Sequence, residues 1–595
     1  MKRRRLMLMT GALPVVAGCA GEATPSFRRA RPGDPGWPSA SQWQTLSAQV
    51  GGRLIEVRSP LDACRADPSG TACAAVFRGL KNPWYIGDNV ALTQTTGWVD
   101  AWTSQPSAYA VAARSSADVV AAVNFARTQR LRLVVKGGGH SYQGTSNAPD
   151  SLLVWTRPMD RIQLHDAFVP QGCEGPPRRA VSLGAGTVWL HAYGAVTKAG
   201  RYVQGGGCAT VNVAGLVQSG GFGSLSKGFG TASAGLLEAE VVTADGQVRI
   251  ANACVNPDLF WALKGGGGGS FGVVTRVTLR TRPLPNYIGG VLGTVQASSP
   301  ETFRRLIERF MTFYRDSLLN RHWGEIVQFR PDNSMVIAMV FQGLDQAQAR
   351  AAWQPFLAWL ASEPGDYRMT DALRIIAVPA RHFWDPVWLK KNLPQAVLSD
   401  DRPGAPADNV FWSGNLGEAG WFLHGYESAW LPAGLLAPAR LAQLADGLFA
   451  ASRHSMTALH FNKGLAGAAP DDIAAARDTA INPSATEAFA LAISAASAPP
   501  SFVGLPGHEP DLVLARRNAR STAAAIGELR KLAPDSGAYL TEASYFEKDW
   551  QRSFWGPNYA RLLGIKAKYD PEGLFIIHHG VGSEAWSADG FTRQR

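Results

Sequence analysis

The stretch VVKGGGHSYQG, residues 134–144, decides how the rest of the sequence is interpreted. A predicted strand ends here, three glycines follow it, and a single histidine, His140, stands after them. Three consecutive glycines weaken any regular element, because glycine loses the most chain entropy on folding. We therefore expect another group to approach this backbone so closely that side chains would not fit. The stretch predicts a strand end against a ligand or a second chain segment, with His140 beside it.

Glycine clusters recur along the same part of the chain, at 184–186, 205–207 and 265–269. Most of them adjoin a strand-like or helix-like run, which excludes a flexible linker. The pattern is typical of a nest of backbone N–H groups around a large, flat, phosphorylated ligand. Two common phosphate-binding motifs are absent: GAGTVW and GFGSLS lack the third glycine of G-x-G-x-x-G, and Lys227 follows a serine where a P-loop has glycine. A dinucleotide would therefore bind by another route.

The composition is that of a large folded protein. The chain has 595 residues, of which 46% are hydrophobic and 18% charged, and this length predicts two or more globular units. The net charge is +11, but residues 1–40 alone hold seven basic and two acidic residues. The remainder is only mildly basic and has no basic run interleaved with aromatic residues, so we do not expect nucleic-acid binding.

The first residues resemble an export signal, assigned to 1–19. MKRRR is the positively charged N-terminal region of such a signal, and LMLMTGALPVVAG is an apolar stretch that is too short to span a membrane. VAGC resembles a lipobox that would lipidate Cys19, and RRRLM resembles a twin-arginine signal; the alternative is a plain secretory signal with a chance cysteine. The sequence predicts an exported, extracytoplasmic protein whose membrane contact is limited to that lipid. Residues 20–75 are interpreted as an N-terminal extension, with a Pro- and Ser-rich tether over 20–50.

The six cysteines are Cys19, Cys64, Cys73, Cys173, Cys208 and Cys254. Cys64 and Cys73 lie close together in CRADPSGTAC and predict a disulfide in an oxidising compartment. No C-x-x-C and no His/Cys spacing typical of zinc occurs, so no metal is expected. If Cys19 carries lipid, three cysteines remain, and the odd count indicates that one has a different role.

Local patterns predict two folded parts. Residues 109–290 alternate strands, glycine clusters and helices, with a capping box at Ser115 and a hairpin turn at Asp245–Gly246. After RPLPNY, 282–287, come a helix capped by Ser299, a strand–turn–strand unit and another helix, which indicate helices on an antiparallel sheet. Eight tryptophans between 323 and 430 belong either to the core or to a platform under a sugar or aromatic substrate.

Four motifs resemble the berberine bridge enzyme-like FAD-linked oxidases of the vanillyl-alcohol-oxidase superfamily. They are KGGGHSYQG, GGGCATVNVAG with SGGFG, NPDLFWALKGGGGGSFGVVT and FWGPNYARLLGIKAKYDPEGLF, in the order of that family. The resemblance implies an α+β fold with a PCMH-type FAD-binding domain of two α/β subdomains at 76–284. It further implies a substrate domain at 285–535, whose antiparallel sheet is covered by helices, and a C-terminal segment at 536–595 that packs on the FAD domain. We expect a monomer.

The resemblance gives the histidine and one cysteine a role. By position, His140 corresponds to the histidine that this family bonds to the 8α carbon of the flavin ring, and Cys208 to a cysteine that some members bond to carbon 6. That role accounts for the odd cysteine and leaves Cys173 and Cys254 as a possible second disulfide. Asn212 and Ala214 stand where the family usually has glycines, and an extra side chain there would shift the loop and weaken the expectation of the Cys208 bond.

The resemblance also implies that the glycine motifs and their neighbours contact FAD. The further implied contacts are Lys136, Gly137, Gly138, Gly139, Ser141, Gly184, Gly186, Gly206, Gly207, Thr210, Gly215, Gly220, Gly221, Gly223, Gly228, Gly272, Val274 and Asn558.

The expected reaction is transfer of a hydride from a hydroxyl-bearing carbohydrate or aromatic compound to flavin N5, with O2 reduced to H2O2. A side chain must accept the hydroxyl proton. In GAYLTEASYFEKDW, Glu542 is the predicted base, Tyr545 assists it, and Tyr539 belongs to the same segment. If this segment is a strand, Glu542 faces away from both tyrosines; if it is irregular, Glu542 can face the flavin.

The electron acceptor is predicted from Val211, because a valine here is associated in the family with oxygen reaching the flavin. Two alternatives stay open: a dehydrogenase that uses another acceptor, and a lipid-tethered flavin-binding protein without turnover. His578 and His579 are adjacent and lack a carboxylate cluster, so we interpret them as structural.

Overall fold

The computed structural model describes residues 27–594; the export signal and Cys19 lie outside them. The elements of the first part are α1 (Ala40–Gln49), β1 (Leu54–Glu56), α2 (Asp62–Ala66), α3 (Thr71–Gly79), α4 (Pro83–Gly87), β2 (Thr95–Trp98), β3 (Trp102–Thr103), β4 (Tyr109–Ala112), α5 (Ser116–Thr128), β5 (Arg132–Lys136), β6 (Ser151–Trp155), β7 (Ile162–Phe168), β8 (Arg178–Gly184), α6 (Trp189–Lys198), β9 (Arg201–Val203), α7 (Val213–Gln218), α8 (Ser226–Phe229), β10 (Leu236–Val242), β11 (Val248–Asn252), α9 (Pro257–Leu263) and β12 (Val273–Pro283).

Two sheets organise this first part. One has the order β1-β4-β6-β5, with β6 parallel to both β4 and β5. The other has the order β11-β10-β12-β8-β7, is antiparallel, and also pairs β9 with β12. The capping box of Ser115 on α5 and the hairpin of β10 and β11 are confirmed.

The second part is built on a nine-stranded sheet. Its elements are β13 (Tyr287–Ala297), α10 (Pro300–Phe313), β14 (Trp323–Phe329), β15 (Ser334–Gln342), α11 (Gln346–Ser362), β16 (Tyr367–Pro379), α12 (Pro386–Asn392), β17 (Val397–Ser399), β18 (Val410–Trp412), β19 (Trp421–Pro432), α13 (Leu441–His454), β20 (Thr457–His460), α14 (Pro470–Arg477), α15 (Ser484–Glu487), β21 (Ala488–Ala498) and α16 (Leu512–Arg530). The sheet order is β16-β13-β15-β14-β20-β21-β19-β2-β3. Apolar residues of α10, α11, α13 and α16 form one core with this sheet, which confirms the expected α+β architecture.

The C-terminal segment returns to the first part, as the resemblance implied. It contains α17 (Trp550–Trp555) and α18 (Tyr559–Tyr569). The indole N–H of Trp555 donates to the carbonyl of Gly265 at 3.0 Å, and the Lys566 ammonium donates to the carbonyl of Ser270 at 2.6 Å. The third glycine cluster is thus held by the C-terminal segment.

Two boundaries predicted from the sequence are wrong. The tether interpretation fails from residue 27 onward, because the buried Arg29 donates to backbone carbonyls of the C-terminal segment and Trp43 of α1 stacks on Tyr109 at 4.0 Å. The range 76–284 is not one unit either, because β2 pairs in parallel with β19 and extends the sheet of the second part. Both errors arise from contacts distant in sequence.

The disulfide predicted between Cys64 and Cys73 is present, and Cys173 pairs with Cys254. Within residues 27–594, Cys208 is the free cysteine. None of the helices in that range combines the length and apolar character that a membrane crossing needs.

Candidate functional site

A cavity of about 490 Å³ lies where the first part, the second part and the C-terminal segment meet. Its lining includes His140, Cys208, Val211, Glu542 and both predicted tyrosines. A cavity of this size is typical of a small-molecule or cofactor site. The motifs singled out in the sequence therefore converge on one place, although they lie up to four hundred residues apart.

Two of the three glycines before His140 are required by a neighbouring loop, and the third by its backbone conformation. A Cβ on Gly137 would lie 2.9 Å from Cβ of Asn212, and one on Gly138 would lie 2.5 Å from its Oδ1. Gly139 has φ +77°, a conformation that favours glycine. Asn212 also donates from its amide to the carbonyl of Gly186. The side chain that departs from the family pattern thus packs on the glycines and fixes the loop that carries Cys208.

His140 presents one ring nitrogen to this loop. Its Nε2 lies 3.1 Å from Oγ1 of Thr210, while no hydrogen bond of the described chain engages Nδ1. Burial, reinforced by Arg157, lowers the pKa of His140 to about 4, so the ring is neutral near pH 7. When Nε2–H donates to Thr210, Nδ1 keeps its lone pair free.

Cys208 lies beside a carboxyl group that sequence analysis missed. Its Sγ is 3.7 Å from Oε2 of Glu418, whose other oxygen accepts a hydrogen bond from the Asn415 amide at 3.4 Å. Burial raises the pKa of Glu418 to about 7, and burial also raises the pKa of the Cys208 thiol well above its ordinary value. Glu418 ends a short 3-10 helix of the second part, Ser413–Glu418, which has no recognisable motif, so no local signal marked it.

The segment carrying Glu542 is irregular, which decides between the two conformations considered above. The Glu542 amide donates to the carbonyl of Tyr539 at 2.8 Å, and this turn lets Tyr539, Glu542 and Tyr545 all line the cavity. Oε2 of Glu542 is buried and has no hydrogen-bond partner within residues 27–594. Burial raises the pKa of Glu542, and the nearby Lys463 ammonium opposes that shift.

The two tyrosines are held differently. The Tyr539 hydroxyl accepts a hydrogen bond from the Gly221 amide at 3.1 Å. The Tyr545 ring stacks on His578 with centroids 3.7 Å apart, and His578 in turn stacks on His579. These histidines support Tyr545, as their structural interpretation suggests, but both also line the cavity.

Bare backbone forms a second side of the cavity. A Cβ on Gly215 would meet no atom within 4 Å, and Gly267 and Gly269 have φ of +97° and +78°. Asn212 and Gln218 line the same space, and each has a buried side-chain oxygen without a hydrogen-bond partner in the described part of the chain. Unpaired polar atoms next to exposed peptide groups fit a ligand that carries its own donors and acceptors.

The cavity lining includes part of the predicted contact set, namely Gly137, Gly138, Gly139, His140, Ser141, Gly207, Cys208, Val211, Gly215, Gly272, Val274, Tyr539, Glu542 and Tyr545. The rest of the set lies outside that lining, namely Lys136, Gly184, Gly186, Gly206, Thr210, Gly220, Gly221, Gly223, Gly228 and Asn558. Lys136 donates to backbone carbonyls at Val90 and Leu92, and Asn558 donates to the carbonyl of Ile481. A Cβ on Gly223 would lie 2.1 Å from the carbonyl oxygen of Gly205. These contacts give Lys136, Asn558 and Gly223 packing roles in the protein, and the cofactor contacts expected of the residues outside the lining stay predictions.

Comparison with known proteins identifies the ligand. The family model for an FAD binding domain matches residues 107–252, and the model for berberine and berberine-like proteins matches residues 538–582. An uncharacterized FAD-linked oxidoreductase of Arthroderma benhamiae is 30% identical, over 96% of this chain and 97% of that protein. The glycine-lined cavity, with its unpaired oxygens and free His140 Nδ1, fits FAD.

Two solved structures share the fold. The VAO-type flavoprotein MtVAO615 from Myceliophthora thermophila C1 has a TM-score of 0.76 and 26% identity, over 96% of this chain and 100% of that one. A glucooligosaccharide oxidase from Acremonium strictum, described with a 6-S-cysteinyl, 8α-N1-histidyl FAD, has a TM-score of 0.59 and 17% identity, over 88% of this chain and 99% of that one. The chain thus belongs to the FAD-linked oxidoreductases of the berberine bridge enzyme-like, VAO-type family.

Proposed function

We propose that this protein oxidises a hydroxyl group of a carbohydrate or an aromatic compound, holds FAD covalently through His140 and Cys208, and passes the electrons to O2. The observation that carries the proposal is the convergence of three groups on one cavity: the two nucleophiles and the unpartnered carboxylate of Glu542. The two nucleophiles would hold FAD, and the carboxylate would accept the hydroxyl proton.

Glu542 is the residue proposed to accept the proton of the substrate hydroxyl. Bound FAD supplies the hydride acceptor. Glu542 accepts the proton at Oε2, the oxygen that has no hydrogen-bond partner in the described chain. Because burial raises its pKa, the Glu542 carboxylate is a stronger base than an exposed glutamate. Tyr545, three residues further along the chain, also lines the cavity and orients the hydroxyl. Tyr539 lines the same cavity and is held by the Gly221 amide.

The covalent attachment rests on the free atoms of two side chains. Nδ1 of His140 has no partner in the described chain, and Cys208 is excluded from both disulfides. The fold neighbour from Acremonium strictum is described with the same pair of bonds. A flavin held twice cannot dissociate, which suits an exported protein.

The substrate class is proposed from the aromatic character of the cavity. Trp102, Tyr142, Tyr539 and Tyr545 line it, and such rings pack against the apolar faces of sugars and aromatic compounds. Tyr142 also packs against Trp421 and Tyr426 of the second part. The glucooligosaccharide oxidase among the fold neighbours is consistent with a carbohydrate.

Export remains part of the proposal. We infer a monomer outside the cytoplasm, delivered by the twin-arginine route and tethered by lipid at Cys19. Two disulfides within residues 27–594 support an oxidising compartment.

The function is tested by anaerobic mixing with sugars and aromatic alcohols. A true substrate bleaches the yellow absorbance, and admission of air restores it with release of one H2O2 per flavin. A flavin that no hydroxyl compound reduces contradicts the proposal. Re-oxidation by a quinone dye but not by air contradicts the choice of O2.

Replacing Val211 by leucine tests oxygen access. Val211 lines the cavity and is only partly buried, so a longer side chain would fill space next to the flavin. We expect re-oxidation by O2 to slow several-fold while anaerobic reduction by substrate is nearly unchanged. Stopped-flow absorbance measures both half-reactions on the same sample, and equal oxygen rates would argue against a gating role.

Two glycine-to-alanine changes distinguish a glycine that lines the cavity, Gly215, from one that packs against the protein backbone, Gly223. Gly223→Ala places a Cβ 2.1 Å from the Gly205 carbonyl oxygen, so we expect a loss of about 1–3 kcal/mol in stability. Gly215→Ala meets no protein atom within 4 Å and lies inside α7, where alanine is favoured over glycine, so we expect no loss of stability in FAD-free protein while FAD content falls. Thermal melting and flavin-to-protein ratios test this; full FAD content in Gly215→Ala would show that the cofactor lies elsewhere.

A further inference from the structure

Cys208 lies in surroundings that disfavour its reactive form. A thiolate, not a thiol, is the nucleophile in bond formation. The charged and titratable groups that face Cys208 are the acidic side chains Glu418, Glu542 and Glu325, and the thiol in turn interacts with Tyr142 and Tyr426. Burial first, and these acids next, raise the pKa of the thiol well above its ordinary value. A thiol in this position needs a proton acceptor in contact with it.

Glu418 is the group in contact. Its Oε2 lies 3.7 Å from Sγ of Cys208, within the range of a sulfur hydrogen bond, and the Asn415 amide holds the other oxygen at 3.4 Å. The carboxyl group is thereby turned so that one oxygen faces the thiol. Within residues 27–594, the other acids near Cys208 make no hydrogen bond to it. Glu418 also lines the cavity, beside the atoms that would react.

From this contact we propose that Glu418 accepts the thiol proton while Cys208 bonds to carbon 6 of the flavin ring. The S–H bond and the ring C6–H bond break, and the S–C6 bond forms. The two electrons released pass through the ring to O2, which takes up the two protons and leaves as H2O2. The inference deepens the proposed function and rests on its second covalent bond.

Glu418→Gln tests the assignment, because the amide keeps the shape but cannot accept the proton. We expect purified protein that is still yellow and linked through His140, with the bond to Cys208 forming about a hundredfold more slowly, the scale of general-base catalysis. Peptide mapping by mass and absorbance measures the share of Cys208 that carries flavin. Full occupancy of Cys208 in this variant would overturn the proposal.

Glu325→Gln is the matched control. It removes a nearby acid that has no hydrogen bond to Cys208, so full occupancy is expected. An equal loss in both variants would indicate a general effect of charge and overturn the specific role. Asn415→Ala, which keeps the carboxyl group but releases its second oxygen, should give a smaller loss and serves if Glu418→Gln does not fold.

Alkaline pH provides the positive test. Glu418→Gln protein held in air should gain the Cys208 bond about tenfold faster per pH unit, because the thiolate fraction rises by that factor below the thiol pKa. No gain at pH 9 would mean that Glu418 only positions the loop, and would overturn the proposal. If the parent protein itself carries no flavin on Cys208, the two-bond part of the proposed function fails; if the parent has the bond and Glu418→Gln has it equally, only the role of Glu418 fails.

Discussion

Replacing Glu542 by glutamine is expected to slow reduction of the flavin by substrate by about 100- to 10,000-fold, the usual contribution of a general base. Glutamine has almost the same size, but its amide cannot accept the hydroxyl proton. Oε2 of Glu542 is buried and has no hydrogen-bond partner among the residues that the structure describes, so a replacement base is not already in contact with it. Anaerobic stopped-flow reduction measures the change directly, since it excludes the oxygen half-reaction.

If Glu542 is the base, the rate of flavin reduction by substrate should depend on pH through this group. Because burial raises the pKa of Glu542, its active carboxylate form is lost at a higher pH than for an exposed glutamate. Flavin reduction in the parent should therefore fall as the pH decreases through this raised value. In Glu542→Gln the acidic limb should disappear, because the group that titrates is gone. If the rate still falls at acidic pH in Glu542→Gln, another residue is responsible for that pH dependence.

Glu427→Gln is the control for this substitution. Glu427 lies on β19 and, like Glu542, has a pKa raised by burial, to about 7, but it lines a different cavity. We expect flavin reduction to change little when it is neutralised. A loss of less than about tenfold in Glu542→Gln would exclude it as the base and direct attention to Tyr545.

The sequence predicted the parts of the site that lie in compact motifs. His140 and Cys208 each stand beside a glycine run, and a motif of that kind can be recognised without knowing the rest of the fold. Glu418 was missed because its position depends on how the second part folds over the first, through side chains far apart in sequence. The same reason explains β2, whose pairing with β19 is invisible in its local pattern.

Glycine indicates that space is restricted but not what restricts it. Gly223 is needed because the Gly205 carbonyl lies against it, whereas Gly215 faces the open cavity. Gly137 and Gly138 were expected near a ligand, and they line the cavity, but their closest neighbour is Asn212. Residues 27–50 show a similar limit, since a Pro- and Ser-rich composition is compatible both with a tether and with a chain that packs through Arg29 and Trp43.

His140→Ala is expected to remove the flavin bond at position 140 completely. Nδ1 of His140 is the free atom of a neutral, buried ring, and alanine offers no nucleophile in its place. After acid precipitation and digestion, the peptide containing residue 140 should carry the mass of the flavin in the parent and none in the variant. Cys208→Ala is the matched control, because it removes the other proposed nucleophile and should leave that peptide modified.

The double variant His140→Ala/Cys208→Ala makes the outcome decisive. Without either nucleophile, all FAD should be released by acid and the precipitate should be colourless. The cavity and its glycine-lined backbone remain in this variant, so FAD bound without a covalent bond would show that the fold recognises the cofactor independently of attachment. Acid-stable colour in the double variant would require a third attachment residue, and the assignment of His140 as the principal link would then be wrong.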